Sequence, residues 1–122
     1  MNSKYVRIQT HENGNGEPIG IFHACWGLVN DHVMEPDDLE QFLRIDKWFT
    51  DHLPRPPFYK TGNPEKATTW FKCEANDMLK MIEPLMALLD KYGLKYNVFF
   101  ADHFGTIIYE DEYQVAVIDS SL

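Results

Sequence analysis

Two runs near the C-terminal end restrict the fold more than anything else in the chain. Gly105-Thr-Ile-Ile-Tyr-Glu-Asp-Glu-Tyr-Gln-Val-Ala-Val-Ile118 is a pair of β-branched stretches around an acidic turn, and it follows a third strand-like run, Tyr96-Asn-Val-Phe-Phe-Ala101. β-Branched and aromatic side chains are stiff at χ1 and pack well on a pleated surface, while in a helix they lose freedom against the preceding turn. The last part of the chain is therefore expected to be sheet, with an unusual group (Tyr109, Glu110, Asp111 and Gln114) gathered in one hairpin. A two-residue turn at Asp111-Glu112 would set Tyr109 opposite Gln114 and Ile108 opposite Val115.

The rest of the chain alternates strand and helix signals. Tyr5-Val-Arg-Ile-Gln-Thr10 has the period of a half-buried strand with Val6 and Ile8 on the core face. His11 to Pro18 reads as a turn. Residues 19–31 read either as a returning strand or, preferably, as a helix from about Gly20, with Ile21, Cys25, Leu28 and Val29 at helical spacing. Pro36 suits the first turn of a second helix with stripe Leu39, Phe42, Leu43 and Phe49, ended by Leu53-Pro-Arg-Pro-Pro57. The segment from Phe58 to Glu65 has no period and completes a long connection. Ala67 to Lys72 is a strand, and Asn76 is a candidate N-cap for a third helix with stripe Leu79, Ile82, Met86 and Leu89. Pro84 predicts a kink in that helix and Gly93 a left-handed end. Strand, helix, strand from Ala67 to Ala101 predicts a crossover between a parallel pair. The expected fold is one α+β domain over residues 1–122: a mixed, mostly antiparallel sheet of four or five strands with about three helices packed on one face.

A hydrophobic content of 44% and an aromatic content of 14% favour a packed globule over a disordered tail. The longest apolar stretches fall far short of the ~20 residues of a membrane span, and no apolar segment at the N-terminus resembles a secretion signal. Cys25 and Cys73 are expected to be reduced side chains, which suits the cytoplasm. The net charge of −8 disfavours direct nucleic-acid binding. It is unevenly spread: Arg55, Lys60, Lys66 and Lys72 stand against Glu65 alone in a basic segment between acidic ones.

Four groups of residues could carry chemistry. Trp70, Lys72, Tyr109, Glu110 and Gln114 place a lysine near carboxylates and a tyrosine, a set able to hold an anionic or polarised small molecule; the ordinary alternative is a surface ion pair. Arg55, Phe58, Tyr59 and Lys60 mix charge with aromatic faces, as for stacking on a nucleotide, with the 55–66 loop as a lid; without a Gly-rich phosphate motif they equally form a packed connector. The five histidines have no metal-ligand spacing, so no metal or other cofactor is expected; Asp102-His103 in a turn could be an acid–base pair or half a metal site, though a lone loop histidine is more often neither. Either cysteine would need a histidine brought to it by folding to serve as a nucleophile. Finally, Glu35, Asp37, Asp38, Glu40, Glu110, Asp111 and Glu112 could form one negative face able to dock on a basic protein.

Thr68-Thr-Trp-Phe-Lys72 and the Gly105–Val115 run resemble a family of small bacterial proteins. Its members pair a Trp-Phe-Lys strand with a C-terminal Gly-x-(Ile/Val)-x-Tyr-Glu-Asp-Glu-x-Gln-Val hairpin. The Arg7-Ile-Gln strand and the Leu53-Pro element are similar too. The resemblance implies a small bacterial α+β protein and carries no catalytic residue across. The residues themselves favour a non-enzymatic interaction or regulatory protein that binds a protein partner through its acidic face. The sharpest form is an inhibitor of a nucleic-acid-binding protein, in the manner of phage-derived or mobile-element inhibitors. The alternative is a small-molecule-binding domain or enzyme around Lys72 and the Tyr109–Gln114 hairpin. A homodimer is a further expectation, because both faces of that hairpin carry apolar residues (Ile107, Ala116 and Ile118 on one; Ile108, Val115 and Val117 on the other).

Overall fold

A computed structural model describes residues 3–10, 19–63, 66–103 and 106–118. Their order is β1 (Tyr5–Thr10), β2 (Ile19–Gly20), α1 (Ile21–Asn30), α2 (Pro36–His52), a 3₁₀ turn (Pro57–Thr61), β3 (Thr68–Lys72), α3 (Asn76–Lys91), β4 (Asn97–Ala101), β5 (Thr106–Glu110) and β6 (Gln114–Ile118). This is an α+β fold: three helices and a curled antiparallel sheet. The turn expected over residues 11–18 lies outside the described residues.

Every strand pair is antiparallel. β1 lies at the centre, with β4 on one side and β3 followed by β2 on the other, while β6 and then β5 extend the sheet beyond β3. The expected parallel neighbours β3 and β4 do run in the same direction, but β1 is inserted between them. A strand from the far N-terminus outcompetes the local crossover because Val6 and Ile8 (4% and 5% exposed) bring the alternating apolar face the centre of the sheet requires. The change of partner from β3 to β2 leaves a gap beside β1, which the Arg7 side chain occupies. Its Nη1 donates to the Thr69 carbonyl at 2.7 Å and its Nε to Gln9 Oε1 at 2.8 Å. Burial lowers the Arg7 pKa, partly opposed by nearby Tyr59.

Residues paired across a sheet share a face. The face carrying Ile8, Phe71 and their row meets the helices: Ile8 joins Ile21, Cys25 and Leu28 of α1, Phe42, Ile45 and Phe49 of α2, and Ile82, Leu85 and Leu89 of α3 in one core. Residues 19–31 satisfy both readings of the sequence, since two residues pair with β1 before α1 begins. α2 opens on Pro36 with Asp37 and Asp38 in its first turn, where carboxylates complement the helix dipole. α3 starts one residue earlier than expected: Ala75 is its N-cap, with no side-chain cap, and Asn76 is already helical. Pro84 is accommodated inside an otherwise continuous helix, and Gly93 closes the end with φ 74°. No helix of the described residues is long and apolar enough to cross a membrane.

Candidate functional site

The hairpin tip is organised by one carboxylate. Asp111 Oδ1 accepts the backbone N–H groups of Tyr113 (2.8 Å) and Gln114 (3.0 Å), and Oδ2 accepts the Tyr109 hydroxyl (2.7 Å) and Gln114 Nε2 (3.0 Å). Desolvation works to raise the pKa of Asp111, but these bonds from Gln114, Tyr109 and the two backbone groups outweigh it and hold the carboxyl below its usual range. The turn lies one residue further along than expected: the Asp111 N–H donates to the Gln114 carbonyl, which puts Glu112 and Tyr113 at the tip, Glu110 pairs with Val115, and Tyr109 with Ala116 after an irregularity between Ile107 and Tyr109. The shifted turn is favoured because the short Asp111 carboxylate can satisfy several backbone donors at once.

The same register separates the residues of the expected small-molecule site. Gln114 pairs with Phe71, and Tyr109 shares the row of Ala116 and Thr69, so both lie on the helix-covered face. Trp70, Val115 and Glu110 form a row on the opposite face, with Lys72. Gln114 is 4% exposed and its remaining amide donor reaches the Pro54 carbonyl at 2.7 Å, so its side-chain donors are spent inside the protein. Lys72 Nζ lies 2.7 Å from Glu110 Oε2, and its pKa is raised chiefly by that hydrogen bond. The Glu110 side chain remains 52% exposed, so solvent screens the pair. Lys72→Met is expected to change folding stability by less than about 1 kcal/mol in a urea titration; a larger loss would make the pair a structural element.

The proline-rich connection packs as a built element. Its start is held by Gln114 at Pro54, and its end by Asn63, whose side chain donates to the Ala67 carbonyl (3.0 Å) and accepts the Ala67 N–H (2.9 Å). Gly62 ends the 3₁₀ turn with φ 79°. Arg55 lies over the Tyr59 ring at 5.7 Å, and Phe58 packs against Tyr59 at 4.7 Å, while Lys60 is exposed. Those contacts bring Arg55 and Tyr59 together.

The acidic residues fall into two groups at opposite ends of α3. At the C-terminal end, Lys91 meets Asp38 (2.7 Å) and Glu35 (3.4 Å), and the Tyr92 hydroxyl donates to Asp38 Oδ2 while accepting the Glu35 N–H (2.8 Å). The hydrogen bonds from Lys91 and then Tyr92 lower the Asp38 pKa. The acidic start of α2 thus clamps the cationic last turn of α3, each charge suiting the dipole of its own helix. Asp37 and Glu40 remain exposed there. At the N-terminal end of α3, Glu112 joins Glu74, Asn76, Asp77 and Tyr113 around an open groove of about 380 Å³ whose floor includes Ala75 and Met78. No cation is among its described lining residues. Glu112, first by its charge and then by a hydrogen bond, raises the Tyr113 pKa, with smaller contributions from burial, Asp111 and Asp77. Asp77 to Lys91 spans roughly 20 Å along a helix, so the seven carboxylates expected on one face fall into separate groups. Sequence reading missed Glu74 and Asp77 as partners of Glu112; their charge was visible, but the docking of the hairpin tip beside α3 was not.

The remaining candidates are ordinary structural groups. Cys25 is buried, and desolvation pushes its thiol up to about 12, which removes it as a nucleophile at neutral pH. Cys73 is also raised, by burial and then by Asp102. Asp102 accepts the Lys4 N–H at 3.1 Å, and His103 beside it is exposed. His52 stacks on Trp48 at 4.3 Å. No group of three potential metal ligands occurs among the described residues. No family model, curated protein or solved structure matches this chain. The site is therefore read from its own geometry.

Proposed function

We propose that this is an interaction protein that docks on a basic protein partner through the acidic groove at the N-terminal end of α3. The observation that supports this most is the convergence of Glu74, Asp77 and Glu112 on an open concavity with no cation among its described lining residues. An excess of one charge in a concave surface focuses the field and raises the encounter rate with an oppositely charged partner. Tyr113 adds an aromatic body, and such residues are enriched at the centres of protein interfaces. The Asp111 turn supports the reading in a second way: it holds Glu112 and Tyr113 in place, so less ordering is needed on binding. The sharpest form of the proposal is a partner whose basic surface normally holds nucleic acid, with the groove competing for the cations that would contact phosphates.

The test is capture of basic proteins from a bacterial lysate on the immobilised chain at about 0.05 M and about 0.5 M salt, where screening lengths differ several-fold. Capture is expected to fall at high salt and to be lost in a Glu74→Lys, Asp77→Lys, Glu112→Lys variant, while an Asp37→Lys, Glu40→Lys variant retains it. Capture that ignores ionic strength, or that survives reversal of the groove charges, would overturn the proposal. A retained partner should also lose nucleic acid when the chain is added.

A further inference from the structure

The hairpin expected to offer an apolar face to a second copy buries most of it: Val115, Ala116 and Val117 are 0%, 0% and 4% exposed, while Ile107 is 42% exposed. Three consecutive exposed apolar residues occur on β4. Val98, Phe99 and Phe100 are 40%, 39% and 62% exposed, on both faces of the strand. Among the described residues β4 pairs with β1 alone, so its other edge is open. Open edges are normally blunted by charge, proline or a bulge. Residues 97–101 have neither charge nor proline, and their pairing with β1 runs without a register shift.

The direction of the backbone groups on that edge follows from alternation along β1. The Lys72 N–H turns to the Tyr113 carbonyl of the hairpin, and the Cys73 N–H turns back to the Lys4 carbonyl. The Lys4 carbonyl and the groups of Val6, which pairs with Phe71, therefore face β3, and those of Tyr5, Arg7 and Gln9 face β4. Their partners Ala101, Phe99 and Asn97 use their N–H and C=O groups on β1. Val98 and Phe100 are left with theirs facing outward. These two residues flank Phe99 symmetrically.

We propose that two copies of this chain pair β4 to β4 about a two-fold axis at Phe99, joining their sheets into one continuous antiparallel sheet. The rotation sets Val98 of each copy against Phe100 of the other as a hydrogen-bonded pair, in which both N–H···O=C bonds form. Phe99 meets its own symmetry mate as the closer, non-hydrogen-bonded pair, so all three exposed apolar side chains gain a cross-strand neighbour. This self-complementarity identifies a second copy of the chain as the occupant, since a two-fold interface must fit itself.

The mass of the full chain in solution, measured by light scattering up to about 1 mM, is expected to rise toward twice 14.3 kDa. Amide exchange reads the edge itself. The Val98 and Phe100 amides should become protected as concentration rises, while those of Asn97, Phe99 and Ala101 stay protected throughout. Val98→Pro removes an outward donor and leaves the β1 ladder intact. It should keep its circular dichroism spectrum and weaken dimerisation at least tenfold. A chain that stays monomeric at the highest concentration overturns the proposal. So does a dimer in which the Val98 and Phe100 amides exchange freely, or one that a folded Val98→Pro variant still forms with unchanged affinity.

Discussion

Replacing Phe42 with alanine is expected to cost about 3–5 kcal/mol of folding stability, the largest loss from any single truncation considered for this protein. Phe42 is 0% exposed on α2, and its ring meets Trp26 of α1 edge-on, 5.1 Å between centroids at 80°. It belongs to the core shared by all three helices and β1. Removing the ring loses its transfer energy, leaves a cavity where three elements meet, and forfeits an aromatic pair worth about 0.5–1.5 kcal/mol beyond its burial. A domain of this kind has only about 5–15 kcal/mol in total, so the variant should sit close to its unfolding threshold. Urea titration of wild type, Phe42→Leu and Phe42→Ala measures this, with leucine expected to recover a large part of the loss. A cost below about 1 kcal/mol for alanine would mean that α2 is not docked as described.

The second large effect is expected at the hairpin tip. Asp111→Ala removes the acceptor for two backbone N–H groups, the Tyr109 hydroxyl and Gln114 Nε2, and should cost about 2–3 kcal/mol, because bonds to an ionised acceptor are the stronger kind. Asp111→Asn should lose less: the amide oxygen can still serve the two backbone donors, but its NH₂ group would then face the Gln114 amide donor. The pH dependence has a definite sign. The folded-state pKa of Asp111 is depressed, so its contribution is complete above the unfolded value near 3.9 and is lost as pH falls through the lower folded value. Stability measured between about pH 5 and pH 2 should fall more steeply in wild type than in Asp111→Asn. Equal slopes would show that the carboxylate is not held as described. Because Asp111 also positions Glu112 and Tyr113, the alanine variant should weaken partner capture by the α3 groove without altering any groove charge.

Most elements of the fold were legible because each is dictated by a period. The apolar spacing of Ile21, Cys25 and Leu28, of Phe42 and Phe49, and of Ile82 and Leu89 marks three amphipathic helices, and all of these residues are buried against one sheet. Pro36 and Gly93 mark helix ends through their own backbone restrictions. The misjudged N-cap of α3 is a failure of the same local logic. Asn76 has the preferred chemistry, but the chain enters the helix one residue earlier, at Ala75, after Cys73 has been hydrogen-bonded to β1. The candidate site was less legible. The pairing of Lys72 with Glu110 followed from two strands and one charge pair, whereas the spending of Tyr109 and Gln114 on Asp111 depended on a turn whose position sequence alone misjudged.

The order of residues by itself determined that this chain has three helices, a sheet-forming C-terminal third and an acidic surface, because periodicity, β-branching and charge act over a few neighbours. Only the tertiary structure decided that β1 enters between β3 and β4, that Glu112 meets Glu74 and Asp77 while Asp38 meets Lys91, and that β4 is left at the edge. Those outcomes depend on contacts between residues tens of positions apart. Which strand takes the centre is settled by competition for apolar surface across the whole molecule, and no local window of sequence contains both competitors.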